Sequence, residues 1–208
     1  MEYPKIDTLF ERDEKTHKVI PEKLRHPAIA TINPWQWTEK IDGTNVRVIW
    51  QPAIPEQPES LSFNGRTNNA QMPADLIKRL CELVSVEKLR SVFPDVPAVI
   101  YGEGYGAGIQ KGGAYSKTKE FAVFDVLVGG KWWLDWKNTC DVASKLGLSL
   151  VPELGEWSFA DAVDFTRKGF PSLLGEHPPA EGIVGRTIEP LFDSRGKRLI
   201  VKLKTKDF

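Results

Sequence analysis

The polar and apolar positions of this chain alternate more often than they recur at helical spacing. The run TEKIDGTNVRVIW (38–50) places Lys40, Asp42 and Gly43 at the mouth of a stretch that alternates through NVRVIW, and LSFNGRT (61–67) alternates as well. Between them, PAIPEQPES (52–60) carries three prolines and predicts a loop joining two strands. Leu76, Ile77, Leu80, Leu83 and Val84 fall at helical spacing within 75–93, with Asp75 as the expected N-cap. Strands are expected again at PAVIYGEG (97–104) and in EFAVFDVLVGGKWWL (120–134), where a Gly-Gly turn separates two of them. DWKNTCDVASKLGL (135–148) reads as a helix stopped by Gly147. SFADAVDFTRKGF (158–170) reads as another, opened by Ser158 with Asp161 in a variant capping box. AEGIVGRT (180–187) and RLIVKLKTK (198–206) complete the strands. Strands dominate and three helices interrupt them irregularly, which predicts an α+β fold with largely antiparallel sheets.

Composition narrows the function classes. The 208 residues suffice for a sizeable core, and 28 Lys and Arg balance 28 Asp and Glu. With zero net charge, any attraction to a polyanion has to come from a local cluster. Cys81 and Cys140 are too few for a disulfide framework and lack metal-ligand spacing; their apolar helical surroundings predict reduced core thiols. No stretch approaches the ~20 apolar residues of a membrane span, and the opening MEYPKIDTLFERDEK is not a signal peptide. A soluble, cytoplasmic protein that engages no membrane is expected.

Several groups could carry chemistry. There is no GxxxxGK[ST], which excludes a P-loop. YGEGYGAGIQKGGAY (101–115) has six glycines but no helix pattern after it, so it reads equally as a flexible loop or as backbone that approaches a ligand closely. His17, His26 and His177 are scattered, which argues against zinc. Mg²⁺ needs fewer protein ligands, and Glu103 and Glu181 sit in glycine-flanked strand settings, although taken alone each reads as a solvated surface charge. In LIVKLKTK, a period of two sends Lys202, Lys204 and Lys206 to one side and Leu199, Val201 and Leu203 to the other. Such a row either guards a sheet edge or faces phosphates. A lysine amine becomes nucleophilic when desolvation or nearby cations favour loss of its proton, so Lys40 and the later lysines support each other if the fold joins them.

EKIDGTN (39–45), NGRT (64–67), YGEGYG (101–106), FAVFDVL (121–127), EGIVGR (181–186) and VKLKTKD (201–207) resemble, in order, motifs I, Ia, III, IIIa, IV and V of the covalent nucleotidyltransferases. The resemblance covers roughly residues 36 to 207. Asn45, where DNA ligases and capping enzymes usually carry arginine, and GIQKGGAY after Glu103 look like the RNA ligase 2 type of ATP-dependent RNA ligase. The resemblance implies an antiparallel-sheet, ATP-grasp-like adenylation domain with flanking helices. It implies that Lys40 attacks the α-phosphorus of ATP, and that Lys202 and Lys204 clamp that phosphate. Glu39 and Phe124 would address the adenine, Glu103 the ribose, and Asn45 and Arg66 a phosphate or the RNA 5′ end. Glu181 would help hold Mg²⁺ or Mn²⁺, with Asp42 and Asp125 in support. The AMP would then activate an RNA 5′-phosphate for sealing by a 3′-hydroxyl.

One departure from the family stands out. Its ligases append a C-terminal OB or helical domain, whereas this sequence stops at Phe208, directly after the last motif. A single nucleotidyltransferase domain over 1–208 is expected, with a partner standing in for the further domain. The rival readings are a DNA ligase, a GTP-dependent capping-type enzyme, or a relative that binds nucleotide or RNA ends without sealing them.

Overall fold

A computed structural model describes residues 1–208, the side chains of Pro21 and Glu22 left aside. In chain order the strands are β1 (Asp7–Thr8), β2 (Phe10–Arg12), β3 (Val19–Leu24), β4 (Trp35–Lys40), β5 (Thr44–Gln51) and β6 (Ser60–Gly65). Helices α1 (Ala74–Leu83) and α2 (Val86–Val92) precede β7 (Ala98–Tyr105), β8 (Glu120–Val128) and β9 (Trp132–Trp133). Helix α3 (Trp136–Leu146), β10 (Ser149–Leu150), β11 (Glu153–Trp157), α4 (Phe159–Lys168), β12 (Gly182–Thr187) and β13 (Ile200–Lys204) follow. The α+β class with mainly antiparallel sheets is as the sequence predicts; among the described residues the pairs β1·β13 and β10·β8 run parallel.

The chain divides into two compact units, each with its own sheet. The first joins Met1–Pro4 to Asp42–Val151 and holds the sheet β10-β8-β7-β5-β6. Alternation sends Val46, Val48 and Trp50 to the face covered by α1, α2 and α3, where Leu76, Leu80, Leu89, Val142 and Leu146 close the core. Asn45, Arg47, Tyr101 and Glu103 fall on the other face, because Asn45 pairs with Glu103 and Arg47 with Tyr101. The second unit joins Lys5–Ile41 to Pro152–Phe208 and holds the sheet β1-β13-β12-β4-β11. Trp35, Trp37, Ile183, Val201 and Leu203 meet Phe159 and Ala162 of α4 in its core. Lys40, Val184, Arg186, Lys202 and Lys204 share the opposite parity.

Four expectations change. The helix expected over 75–93 is two helices, because Val84 turns extended and Ser85 caps a new start by accepting from Lys88 N at 3.2 Å. Pro73, not Asp75, is the N-cap of α1, and Asp75 sits in its first turn. Cys81 is exposed and Cys140 half-buried, so neither is a core thiol; the apolar stripe of α1 is Leu76 and Leu80, one side away from Cys81. The lysine row stops at Lys204, since Thr205–Asp207 winds into a 3-10 turn, and β13 is flanked by β12 and β1, so it is not a sheet edge. Other signals hold: Gly129 and Gly130 take φ 61° and 67° in the β8–β9 turn, Gly147 takes φ 71° after α3, and Ser158 caps α4. Among the described residues no helix is long and apolar enough to cross a membrane.

Candidate functional site

Lys40 ends a strand and does not begin one. WQWTEK is itself a strand, Ile41–Gly43 turn the chain, and β5 starts at Thr44. A lysine at the last position of β4 sits where a paired strand fixes its backbone while its side chain leaves the ladder. Gly43 follows for a steric reason: a Cβ there would lie 2.4 Å from Gly104 O and 2.8 Å from Glu103 Cγ. The K-x-D-G spacing is therefore a strand end followed by a turn that passes tightly against β7.

In the second unit, register brings the lysines together. Gly182 of β12 stands opposite Lys40 on one side and Lys204 on the other. A Cβ on Gly182 would lie 2.0 Å from Leu203 O, so β13 can close against β12 only over a glycine. Glu181, the preceding residue, extends its carboxylate between the two amines. Oε2 accepts from Lys40 Nζ at 2.5 Å and Oε1 pairs with Lys204 Nζ at 2.6 Å. Burial pushes the Glu181 carboxyl up, but the Lys40 charge, the two lysine hydrogen bonds and the Lys204 charge outweigh it and hold it below the usual range. The Glu181 backbone is pinned as well, since Thr205 N donates to Glu181 O at 3.0 Å. Lys202 lies two residues before Lys204, opposite Val184 and Thr8.

Glu39 behaves differently. Alternation turns it to the α4 side of the sheet, away from Lys40, and it is 1% exposed. Oε1 accepts from Ser172 Oγ at 2.5 Å and Oε2 from Leu173 N at 2.9 Å. Burial pushes its carboxyl above the usual range, with those two donors opposing. Arg186, 3% exposed in β12, shares the parity of Lys40; its place in EGIVGR went unread as a site residue.

In the first unit, Asn45 and Glu103 are register partners, and the Asn45 Oδ1 is buried with no hydrogen-bond partner. The glycines either side of Glu103 are required by packing. A Cβ on Gly102 would meet the Phe121 ring at 2.3 Å and one on Gly104 the Leu76 side chain at 2.7 Å. Phe124 and Asp125 are consecutive yet share a face, which plain alternation forbids. The β7–β8 register jumps there: Tyr101 opposes Asp125 while Gly102 opposes Val123, so Phe124 is the extra residue of a β-bulge. Tyr3 is their common partner. Its hydroxyl donates to Asp125 Oδ2 at 2.9 Å, and its ring meets Phe124 edge-on at 5.0 Å.

Arg66 is exposed in the bend after β6. Arg47, 1% exposed, fixes that bend from both sides: Nε donates to Gly65 O at 2.7 Å and Nη2 to Asn68 Oδ1 at 2.9 Å. Sequence reading missed Arg47, Tyr3 and Ser172. A charged residue at the centre of the apolar strand VRVIW was a signal for the first; the other two left none. Asp42 lies half-exposed in the turn after Ile41. Among the described residues no three His, Cys, Asp or Glu gather as a metal cage. A Mg²⁺ or Mn²⁺ ion that keeps water and phosphate oxygens needs few protein ligands, and the ionised Glu181 carboxylate, already turned to two cations, fits one.

The fold has solved counterparts. A mutant RNA ligase of Naegleria gruberi in its apo form superposes with TM-score 0.67 at 17% identity, over 99% of this chain and 58% of that one. A mutant of a Naegleria gruberi RNA ligase with ATP and Mn gives TM-score 0.66 at 18% identity, over 99% and 64%. The Naegleria gruberi RNA ligase with PPi gives 0.65 at 18%, over 98% and 62%. The chain thus spans about three fifths of the length of these proteins. No curated protein sequence matches it. The RNA ligase family model does match, over residues 33–204. That match takes in β4 with Lys40, the bulge at Phe124 and the strand of Lys202 and Lys204, and the chain belongs to the RNA ligase family.

Proposed function

We propose that the chain is an ATP-dependent RNA ligase that works through a covalent AMP on Lys40. The observation that carries this is the Lys40–Glu181–Lys204 arrangement, set by strand register in a member of the RNA ligase family. Lys40 Nζ attacks the α-phosphorus of ATP, the bond to the bridging oxygen breaks, and pyrophosphate leaves with the electron pair. The amine loses a proton to solvent, and a phosphoramidate remains on Lys40. Lys202 and Lys204 stabilise the charge that develops on the α-phosphate. Naegleria gruberi RNA ligases have been solved with ATP and Mn, with AMP and Mn, and with PPi, the ligands such a step requires.

Glu181 would hold the divalent ion, which when bound draws charge from the phosphate oxygens. In the first unit, Asn45 and Arg66 would engage phosphate or the RNA 5′ end, Arg66 with a fork suited to it. Glu103 would engage the ribose and Phe124 the adenine face, with Asp125 supporting Phe124 through Tyr3. The adenylate then passes to an RNA 5′-phosphate, and a 3′-hydroxyl displaces AMP to seal the strand. RNA ends are thus the proposed partners, with the cytoplasm as the proposed compartment.

The test is incubation of the pure protein with α-labelled ATP or GTP and Mg²⁺, followed by a denaturing gel. Acid-labile label from ATP alone, absent in Lys40→Ala, supports the reading. Label from GTP alone moves the protein to the capping type. With neither label, intact mass separates a chain purified already carrying AMP from one that binds nucleotide without reacting.

A further inference from the structure

Glu39 precedes the proposed nucleophile, and the family resemblance assigns it to the adenine. Its surroundings assign it elsewhere. Both carboxylate oxygens are occupied by donors of one loop, Ser172 Oγ and Leu173 N, and the side chain is 1% exposed. The loop is a closed unit in its own right. Ser172 N donates to Pro178 O at 2.7 Å, Leu174 N to Ser172 Oγ at 3.0 Å, and Ala180 N to Phe170 O at 3.0 Å. His177 Nδ1 lies 2.8 Å from Ser172 O; a carbonyl only accepts, so that ring nitrogen carries the proton. Ser172 is fully buried, and its hydroxyl both donates to Glu39 and accepts from Leu174.

The loop leads from α4 to Ala180 and then directly to Glu181, the carboxylate between Lys40 and Lys204. The sequence neighbour of Lys40 is thus clamped to the segment whose exit carries the partner of Lys40. Resting on the adenylyltransferase reading, we infer that Glu39 and Ser172 form a positioning latch, which fixes Glu181 relative to the Lys40 amine and does not read the base. Neither residue touches substrate; both act through Glu181.

A contact to adenine and a latch have opposite kinetic signatures. Loss of a base contact weakens ATP binding, raising KM and relaxing the choice of ATP over GTP. Loss of a latch leaves binding and misplaces the reacting groups. Single-turnover formation of lysyl-AMP is measured for wild type, Ser172→Ala, Glu39→Gln and the double variant. The expected result is a rate at saturating ATP about 10-fold lower in each single variant, KM within about 2-fold of wild type, unchanged ATP preference, and a double variant no worse than the worse single one. A raised KM at an unchanged saturating rate overturns the latch, as do additive losses or wild-type kinetics in Ser172→Ala.

His177→Ala, which removes one bond to the Ser172 carbonyl and leaves Glu39 untouched, keeps the test usable if Ser172→Ala does not fold; a rate loss of about 3-fold at constant KM is expected, and unchanged kinetics overturns the latch. Hydrogen exchange of the Ala180 amide, which closes the loop onto Phe170 O beside Glu181, supplies a readout without ATP. In Ser172→Ala, or in His177→Ala, it is expected to speed up about 10-fold as the loop loosens, and unchanged exchange overturns the latch. A wild-type chain that forms no lysyl-AMP fails the adenylyltransferase reading, and the exchange still decides the latch.

Discussion

The Nζ of Lys40 lies 2.5 Å from Oε2 of Glu181, an ion pair between residues 141 positions apart. The same carboxylate holds Lys204, so its removal leaves two ammonium groups facing each other without a counter-charge. Glu181→Gln is expected to slow lysyl-AMP formation by about 10²–10³-fold, the scale for losing one charge-organising group at a reacting centre. Single-turnover labelling checks this. Retention of more than a tenth of the wild-type rate would remove Glu181 from the proposed chemistry.

Acid stability follows from the same carboxyl. Its folded value is lowered, so the stability it contributes is present above the ordinary value of 4.5 and is lost as pH falls through the lowered folded value. Glu39, whose folded value is raised, works in the opposite sense: its contribution is present below 4.5 and lost as pH rises through the raised value. Urea unfolding between pH 3 and 7 should therefore show wild type losing more stability on acidification than Glu181→Gln. Parallel curves for the two proteins would contradict this.

Arg47 is a buried guanidinium that donates to Gly65 and Asn68, on either side of Arg66 in the bend. Asn68→Ala removes one of them and leaves a buried donor unsatisfied, at a cost of about 1–3 kcal/mol. Transfer of AMP to an RNA 5′-phosphate should suffer as well, with losses in Asn68→Ala and Arg66→Ala that do not add. Additive losses would mean that the bend and Arg66 act independently.

Tyr3→Phe keeps the ring against Phe124 and deletes the donor to Asp125. The expected cost is about 0.5–1.5 kcal/mol of stability, with a raised KM for ATP if Phe124 stacks on the base. An unchanged melting temperature together with an unchanged KM would show that the hydrogen bond does neither.

Much of this fold was legible because alternation and turn chemistry are local. The Gly129-Gly130 turn, the stop at Gly147 and the Ser158 cap follow from residues within four positions of one another. The split at Ser85 was hidden because an apolar stripe continues across it. The place of Lys40 was misread because WQWTEK, with two buried tryptophans, alternates as well as NVRVIW, and Asp42-Gly43 marks the turn that separates the two strands. Within the candidate site, motif order singled out Lys40, Glu181 and Lys204, which strand register brings into contact. It could not foresee that a register jump turns Phe124 and Asp125 to one face, or that Ser172 meets Glu39 from 133 residues away. Both are facts of pairing at a distance, for which a single sequence carries no local mark.

The order of strands in the second sheet, β1-β13-β12-β4-β11, has a consequence for how the protein is made. The strand of Lys40 leaves the ribosome long before its neighbours, which arrive only with residues 153–157 and 182–187, and Lys204 follows later still. The intervening Asp42–Val151 carries a core that needs none of them. During synthesis, then, β4 waits as an unpaired, tryptophan-bearing edge for more than a hundred residues, a nascent segment that a chaperone would be suited to shield.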